Sequence, residues 1–118
     1  VINPVTRHIS VLASAAKTVS ELAPGRVEFW LGRGFSSVQT VGVRPATVRQ
    51  MRETVVDLKR LLAGEWDVFP GVHSRMRHGG GSPVPVYIAA SGPKTFRLNP
   101  AGSHLRAFSS AAWNTWRR

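Results

Sequence analysis

Three times in this chain a short apolar stretch runs straight into a loop punctuated by glycine or proline. Val1-Ile2 leads into Asn3-Pro4-Val5-Thr6-Arg7-His8. Val27 to Leu31 leads into Gly32-Arg33-Gly34-Phe35-Ser36-Ser37. Val84 to Ala90 leads into Ser91-Gly92-Pro93-Lys94. A segment with helical period separates the first stretch from the second, and another separates the second from the third. Strands that alternate with helices pair in parallel through right-handed crossovers. The chain is therefore expected to be α/β, with about three parallel strands. In such sheets the loops after the strands share one end, where ligands and chemistry gather.

The spacing of apolar residues predicts the elements. Ile9, Leu12, Ala16 and Val19 recur at helical steps between about His8 and Leu22. Thr6 or His8 stands near its amino end, Thr6 being the better cap because a hydroxyl accepts readily from a backbone N–H, and Pro24-Gly25 stops the helix. From Arg26 to Leu31 the pattern alternates, with Val27, Phe29 and Leu31 on one face and Glu28 and Trp30 on the other. Residues 32–45 read as loop. Val48, Met51, Val55, Leu58 and Leu62 mark a second helix over about Ala46 to Ala63, with Arg49 and Glu53 placed to pair at i, i+4 and Gly64 as its stop. Residues 65–83 read as irregular, and Gly79-Gly80-Gly81 as flexible. A strand follows from Val84 to Ala90. Nothing after Ala90 alternates as a further strand would. The organised part is thus 1–94, with 95–118 an atypical basic tail.

At 118 residues the chain is one domain, and its 42% apolar content suffices for a core. No apolar run is long enough to span a bilayer. There is no cysteine, so neither a disulfide framework nor a thiolate metal site is expected, and a reducing cytoplasmic compartment is the default. The four histidines form no His-x-x-x-His pair, so no metal is expected. Charge is uneven: residues 1–67 carry nine Lys/Arg and all six acids, whereas 68–118 carry seven Lys/Arg and no acid. A basic half suits a small nucleic-acid-binding module, which is the competing reading. Its cations share no period, so nucleic acid is disfavoured.

The loops carry the chemistry. Gly32-Arg33-Gly34 lacks the helix start and the distant acid of a dinucleotide fingerprint, yet its glycines let a ligand approach the backbone. Ala89-Ala90-Ser91-Gly92-Pro93 combines small side chains with a helix start, which leaves room for a bulky or flat group. Asn3, Thr6, Arg7 and His8 crowd polar groups at one strand end, where His8 is either an acid or base near neutrality or a fixed hydrogen-bond partner. No carboxylate pair and no nucleophile–base pair stands out, so catalytic residues are not assigned.

At these same residues the sequence resembles the bacterial-luciferase-like family of flavin- and deazaflavin-dependent oxidoreductases. The matching stretches are Asn3 to His8, Glu21 to Val27, Leu31 to Gly34 and Pro85 to Lys94, in the family's order and approximate spacing. The closest likeness is to the deazaflavin-using branch. The resemblance implies a partial TIM-type (β/α) barrel, a fragment of a larger enzyme whose cofactor is a deazaflavin (coenzyme F420) or FMN. It implies that Gly32, Arg33, Gly34, Ser36, Ala90, Ser91 and Gly92 line the cofactor pocket. The chemistry implied is hydride transfer or oxygen activation on a small-molecule substrate. The isolated chain is expected to be inactive, and its exposed sheet edges are expected to favour self-association. The family often carries an acid after Gly-Arg-Gly, where this chain has Phe35.

Overall fold

The computed structural model describes residues 1–90 and the pair 107–108. The elements are α1 (Ile9–Leu22), β1 (Phe29–Gly32), α2 (Ser36–Gln39), α3 (Val48–Leu62), β2 (Val86–Ala89) and β3 (Ala107–Phe108). The three strands lie in the order β1-β2-β3 and every pairing is parallel. Ile2 extends this arrangement on the far side of β1 through a parallel bridge to Leu31. Its N–H donates to the Trp30 carbonyl at 2.9 Å, and its own carbonyl accepts from the Gly32 N–H at 2.8 Å. The first apolar stretch therefore joins the sheet as a single bridge, too short to count as a strand.

The alternation along β1 and β2 sorts their side chains onto two faces. Phe29, Leu31, Val86 and Ile88 are buried with Leu12, Ala13 and Ala16 of α1 and with Met51, Val55 and Leu58 of α3. Burying such side chains is the main driving force of the fold, at about 25 cal/mol per Å² of apolar surface. The other face carries Trp30 and Tyr87, partners in register. Their rings stack with centroids 4.8 Å apart.

Four expectations need correction. α1 is capped by His8, whose Nδ1 accepts from the Ser10 N–H at 3.3 Å, and not by Thr6. The Thr6 hydroxyl is drawn instead to Asn3 Oδ1 at 3.2 Å. The buried face of α1 is also rotated. Val19 is exposed, while Lys17 and Ser20 are buried: Lys17 donates to the Gly80 and Ser82 carbonyls of the 79–82 loop, and the Ser20 hydroxyl to the Lys17 carbonyl. That loop is tied down, with the Gly80 N–H donating to the Leu62 carbonyl at 2.8 Å. Finally, Ala107–Phe108 adds a parallel strand beyond Ala90, in register with Ile88 and Ala89. Two residues are too few to show alternation in a sequence.

α3 begins at a capping box. Thr47 Oγ1 accepts from the Gln50 N–H at 3.1 Å, and Gln50 Oε1 accepts from the Thr47 N–H at 2.8 Å. Arg49 and Glu53 pair at 2.8 Å as the spacing predicts. The hydrogen bond and charge of Glu53 hold the Arg49 guanidinium still more firmly in its charged form. No helix among the described residues is long and apolar enough to cross a membrane.

Candidate functional site

Parallel pairing brings the loop-bearing ends of the strands to one edge. Asn3 follows the bridge at Ile2, Gly32 ends β1, and Ala90 follows β2. Gly32 and Ala89 are partners in register. They lie on the same face as the Trp30–Tyr87 stack, one step further toward the carboxyl end. A Cβ on Gly32 would come within 3.7 Å of the Ala89 Cβ and 2.8 Å of Val1 Cγ1. The result is a shelf of small side chains at the strand ends, flanked by the Trp30–Tyr87 stack and covered over Gly32 by the Val1 side chain. Its open part is the methyl group of Ala89, against which the edge of a flat ring can lie.

Of the seven residues expected at this site, five are described. Gly32 and Ala90 are buried at the strand ends, Ala90 on the opposite face in the core with α1 and α3, and Gly34 is half-buried in the turn between β1 and α2. Gly34 has φ +76°, and a Cβ there would meet Asn3 Cβ and Val38 Cγ1 at 2.8 Å. Only glycine fits this position on both counts. Arg33 is exposed, its Nε donates to the Ala46 carbonyl, and its own carbonyl accepts from the Ala46 N–H at 2.9 Å. It thereby fastens the loop to the entry of α3. Ser36 is exposed and opens α2, with its carbonyl accepting from the Thr40 N–H and hydroxyl. Ser91 and Gly92 lie outside the described residues.

Asn3 was legible as a polar residue at a strand end, but its part in the loop architecture was not. It is only 7% exposed. Its Oδ1 accepts from the N–H groups of Val5 and Thr6, each at 3.0 Å, and from the Thr6 hydroxyl. Its Nδ2 donates to Ser37 Oγ at 3.1 Å. One side chain thus closes its own turn and reaches 34 residues along the chain to α2. The first of these roles has a local signal, since asparagine commonly bonds backbone N–H groups two and three residues on. The second has none.

His8 is exposed and makes the hydrogen bond of a fixed partner at Ser10. Its Nδ1 lies 2.7 Å from Ser10 Oγ, and its ring sits 5.5 Å from that of Phe69. An open cleft of about 410 Å³ lies between its loop and α3, lined among others by Arg7, His8, Gln50, Glu53 and Asp57. It shares no residue with the Gly32–Ala89 shelf. No group of acids and histidines that could hold a metal ion occurs among the described residues.

Comparison with known proteins bears on this edge. The family described as luciferase-like monooxygenase matches residues 1–112. The chain is 34% identical over 109 residues to the F420-dependent glucose-6-phosphate dehydrogenase of Beutenbergia cavernae, an alignment covering 83% of this chain and 32% of that protein. It is 33% identical over 110 residues to the enzyme of the same name from Nakamurella multipartita, with the same coverage. Against the 5,10-methylenetetrahydromethanopterin reductase of Archaeoglobus fulgidus it is 29% identical over 107 residues, covering 83% and 31%. The chain spans about a third of the length of these curated relatives.

Proposed function

This chain belongs to the luciferase-like monooxygenase family, and on that premise we propose that it is part of a TIM-type barrel oxidoreductase that works with the deazaflavin F420. The relatives named for F420 support the choice of deazaflavin over FMN. Residues 1–94 would supply consecutive strand–helix units of that barrel. The sheet edge beside Ile2 would accept a preceding strand.

One observation carries the site. Gly32 and Ala89 stand side by side on the sheet face opposite α1 and α3, at the carboxyl ends of paired parallel strands. This surface of small side chains would take a flat tricyclic ring against Ala89, with the Val1 side chain turned aside from Gly32. Gly32 and Gly34 would admit the ring to the backbone, and Ser36 would offer a hydroxyl at its edge; Ala90 would contribute only its backbone, because its side chain is in the core. Arg33 would hold the loop to Ala46 while its remaining N–H groups face the cofactor's polar side. Trp30 and Tyr87 would close the floor and keep water from beneath the ring. A deazaflavin, when bound, supplies a carbon that accepts or delivers hydride; the protein's part is to bind, orient and shield it. A closed barrel needs eight strands, so substrate turnover by this chain alone is not expected.

Quenching of 5-deazariboflavin fluorescence tests the shelf, since that ring lacks the acidic tail of F420 and cannot bind merely by charge. Saturable quenching, unchanged between low and high salt, is expected. Ala89→Leu would fill the shelf and weaken it at least about tenfold, the effect of losing a fitted contact worth about 1.4 kcal/mol. Equal quenching by wild type and variant would overturn the site.

A further inference from the structure

We infer that Asn3 is a positioning residue for the cofactor loop, acting through its hydrogen bond to Ser37. The inference rests on the cofactor reading above and extends it to a residue that need not touch the cofactor. Three observations converge on it. The Asn3 side chain is buried, and both ends of its amide are engaged. The Gly34 turn passes so close that a Cβ there would strike Asn3 Cβ at 2.8 Å and Asn3 Cγ at 3.0 Å. The α2 segment that follows is a single short turn, held inward by the buried Val38.

A four-residue helix does not hold its own position, because helix formation becomes favourable only over longer segments. Its placement must come from tertiary contacts. Val38 fixes its depth, and Arg33 anchors the loop at the α3 side through Ala46. The bond from Asn3 Nδ2 to Ser37 Oγ ties the same loop to the neighbouring strand end. An amide is suited to this double task. Its oxygen satisfies the turn at Val5 and Thr6, which leaves its N–H groups to bridge outward. Asn3 therefore sets the lateral position of the Gly34–Ser37 arm relative to the Gly32–Ala89 shelf.

Ser37→Ala cuts this link and leaves the Asn3 turn intact, while Ser37→Thr retains a hydroxyl. Hydrogen exchange without cofactor reads the coupling. In Ser37→Ala the amides of Thr40 and Val43 should exchange about fivefold faster, the worth of one ordinary hydrogen bond, whereas those of Val55 and Leu58 in α3 should not change. Asn3→Ala should give the same acceleration, and the double variant no more than either alone. Deazaflavin affinity should fall by a similar factor in Ser37→Ala and recover in Ser37→Thr, with little change in melting temperature. Unchanged exchange in Ser37→Ala, or full additivity in the double variant, overturns the coupling. Faster exchange with unchanged affinity overturns the positioning role. If the wild type binds no deazaflavin, the cofactor reading falls, and exchange alone still decides whether Asn3 fixes the loop.

Discussion

Lys17, in the middle of α1, donates its side-chain amino group to the carbonyl of Gly80, at the far end of the loop that follows α3. It also donates to the Ser82 carbonyl at 3.0 Å. Lys17 is only 4% exposed, and its partners are carbonyl dipoles with no carboxylate. A glycine run of this kind is costly to order, and Lys17 supplies the donors that hold it against the helix. Lys17→Met keeps the apolar stem and removes the donors, leaving two carbonyls short of partners. We expect a loss of about 2 kcal/mol in urea unfolding, with protease cleavage appearing first between residues 77 and 83.

The same loop crosses the end of α3 at glycine on both sides. A Cβ on Gly79 would lie 2.6 Å from the Gly64 Cα and 2.8 Å from the Leu61 carbonyl oxygen. These are backbone atoms and cannot swing away. Gly79→Ala should therefore destabilise by about 3 kcal/mol, at the top of the usual range for overpacking. A calorimetric melting temperature equal to that of the wild type would show that the crossing is looser than this.

Thr47 and Gln50 satisfy one another's backbone N–H groups at the start of α3. Thr47→Ala should cost about 1 kcal/mol. Because the two bonds form one reciprocal unit, Gln50→Ala in the Thr47→Ala background should cost less than it does alone. A double-mutant cycle in denaturant checks this, and strict additivity would count against the unit.

Val38 of α2 and Phe35, which precedes that helix, should differ sharply. Val38 is fully buried, whereas Phe35 is 76% exposed. Val38→Ala should cost about 2 kcal/mol, from two lost methyl groups and the cavity left behind. Phe35→Ala should change stability by less than about 0.5 kcal/mol. Phe35 stands where relatives of this type often carry an acid, so Phe35→Glu should fold equally well, as read by circular dichroism and melting temperature.

The elements legible in the sequence were those with a strong period. α3 was readable because Met51, Val55 and Leu58 repeat at helical spacing, and all three are buried. β1 was readable because Phe29 and Leu31 alternate with Trp30. The pattern failed where polar residues occupy buried positions. Lys17 and Ser20 are buried where Val19 was expected: the Lys17 amino group meets loop carbonyls that reward a donor, and the Ser20 hydroxyl donates to the Lys17 carbonyl. It failed again at α2, where Ser36–Gln39 is too short to declare a period.

The edge that holds the candidate site followed from the order of strands and loops alone. Alternating units run parallel, so Asn3, Gly32 and Ala90 had to share one end. Local spacing could also announce the glycine turn after β1. Which surface those residues build was decided by contacts between distant segments. Gly32 meets Ala89 through strand register, Asn3 reaches Ser37, and Lys17 reaches Gly80. A repeat in the chain encodes the angle at which neighbouring side chains point. It carries no term for the partner that a buried donor finds 34 or 63 residues away.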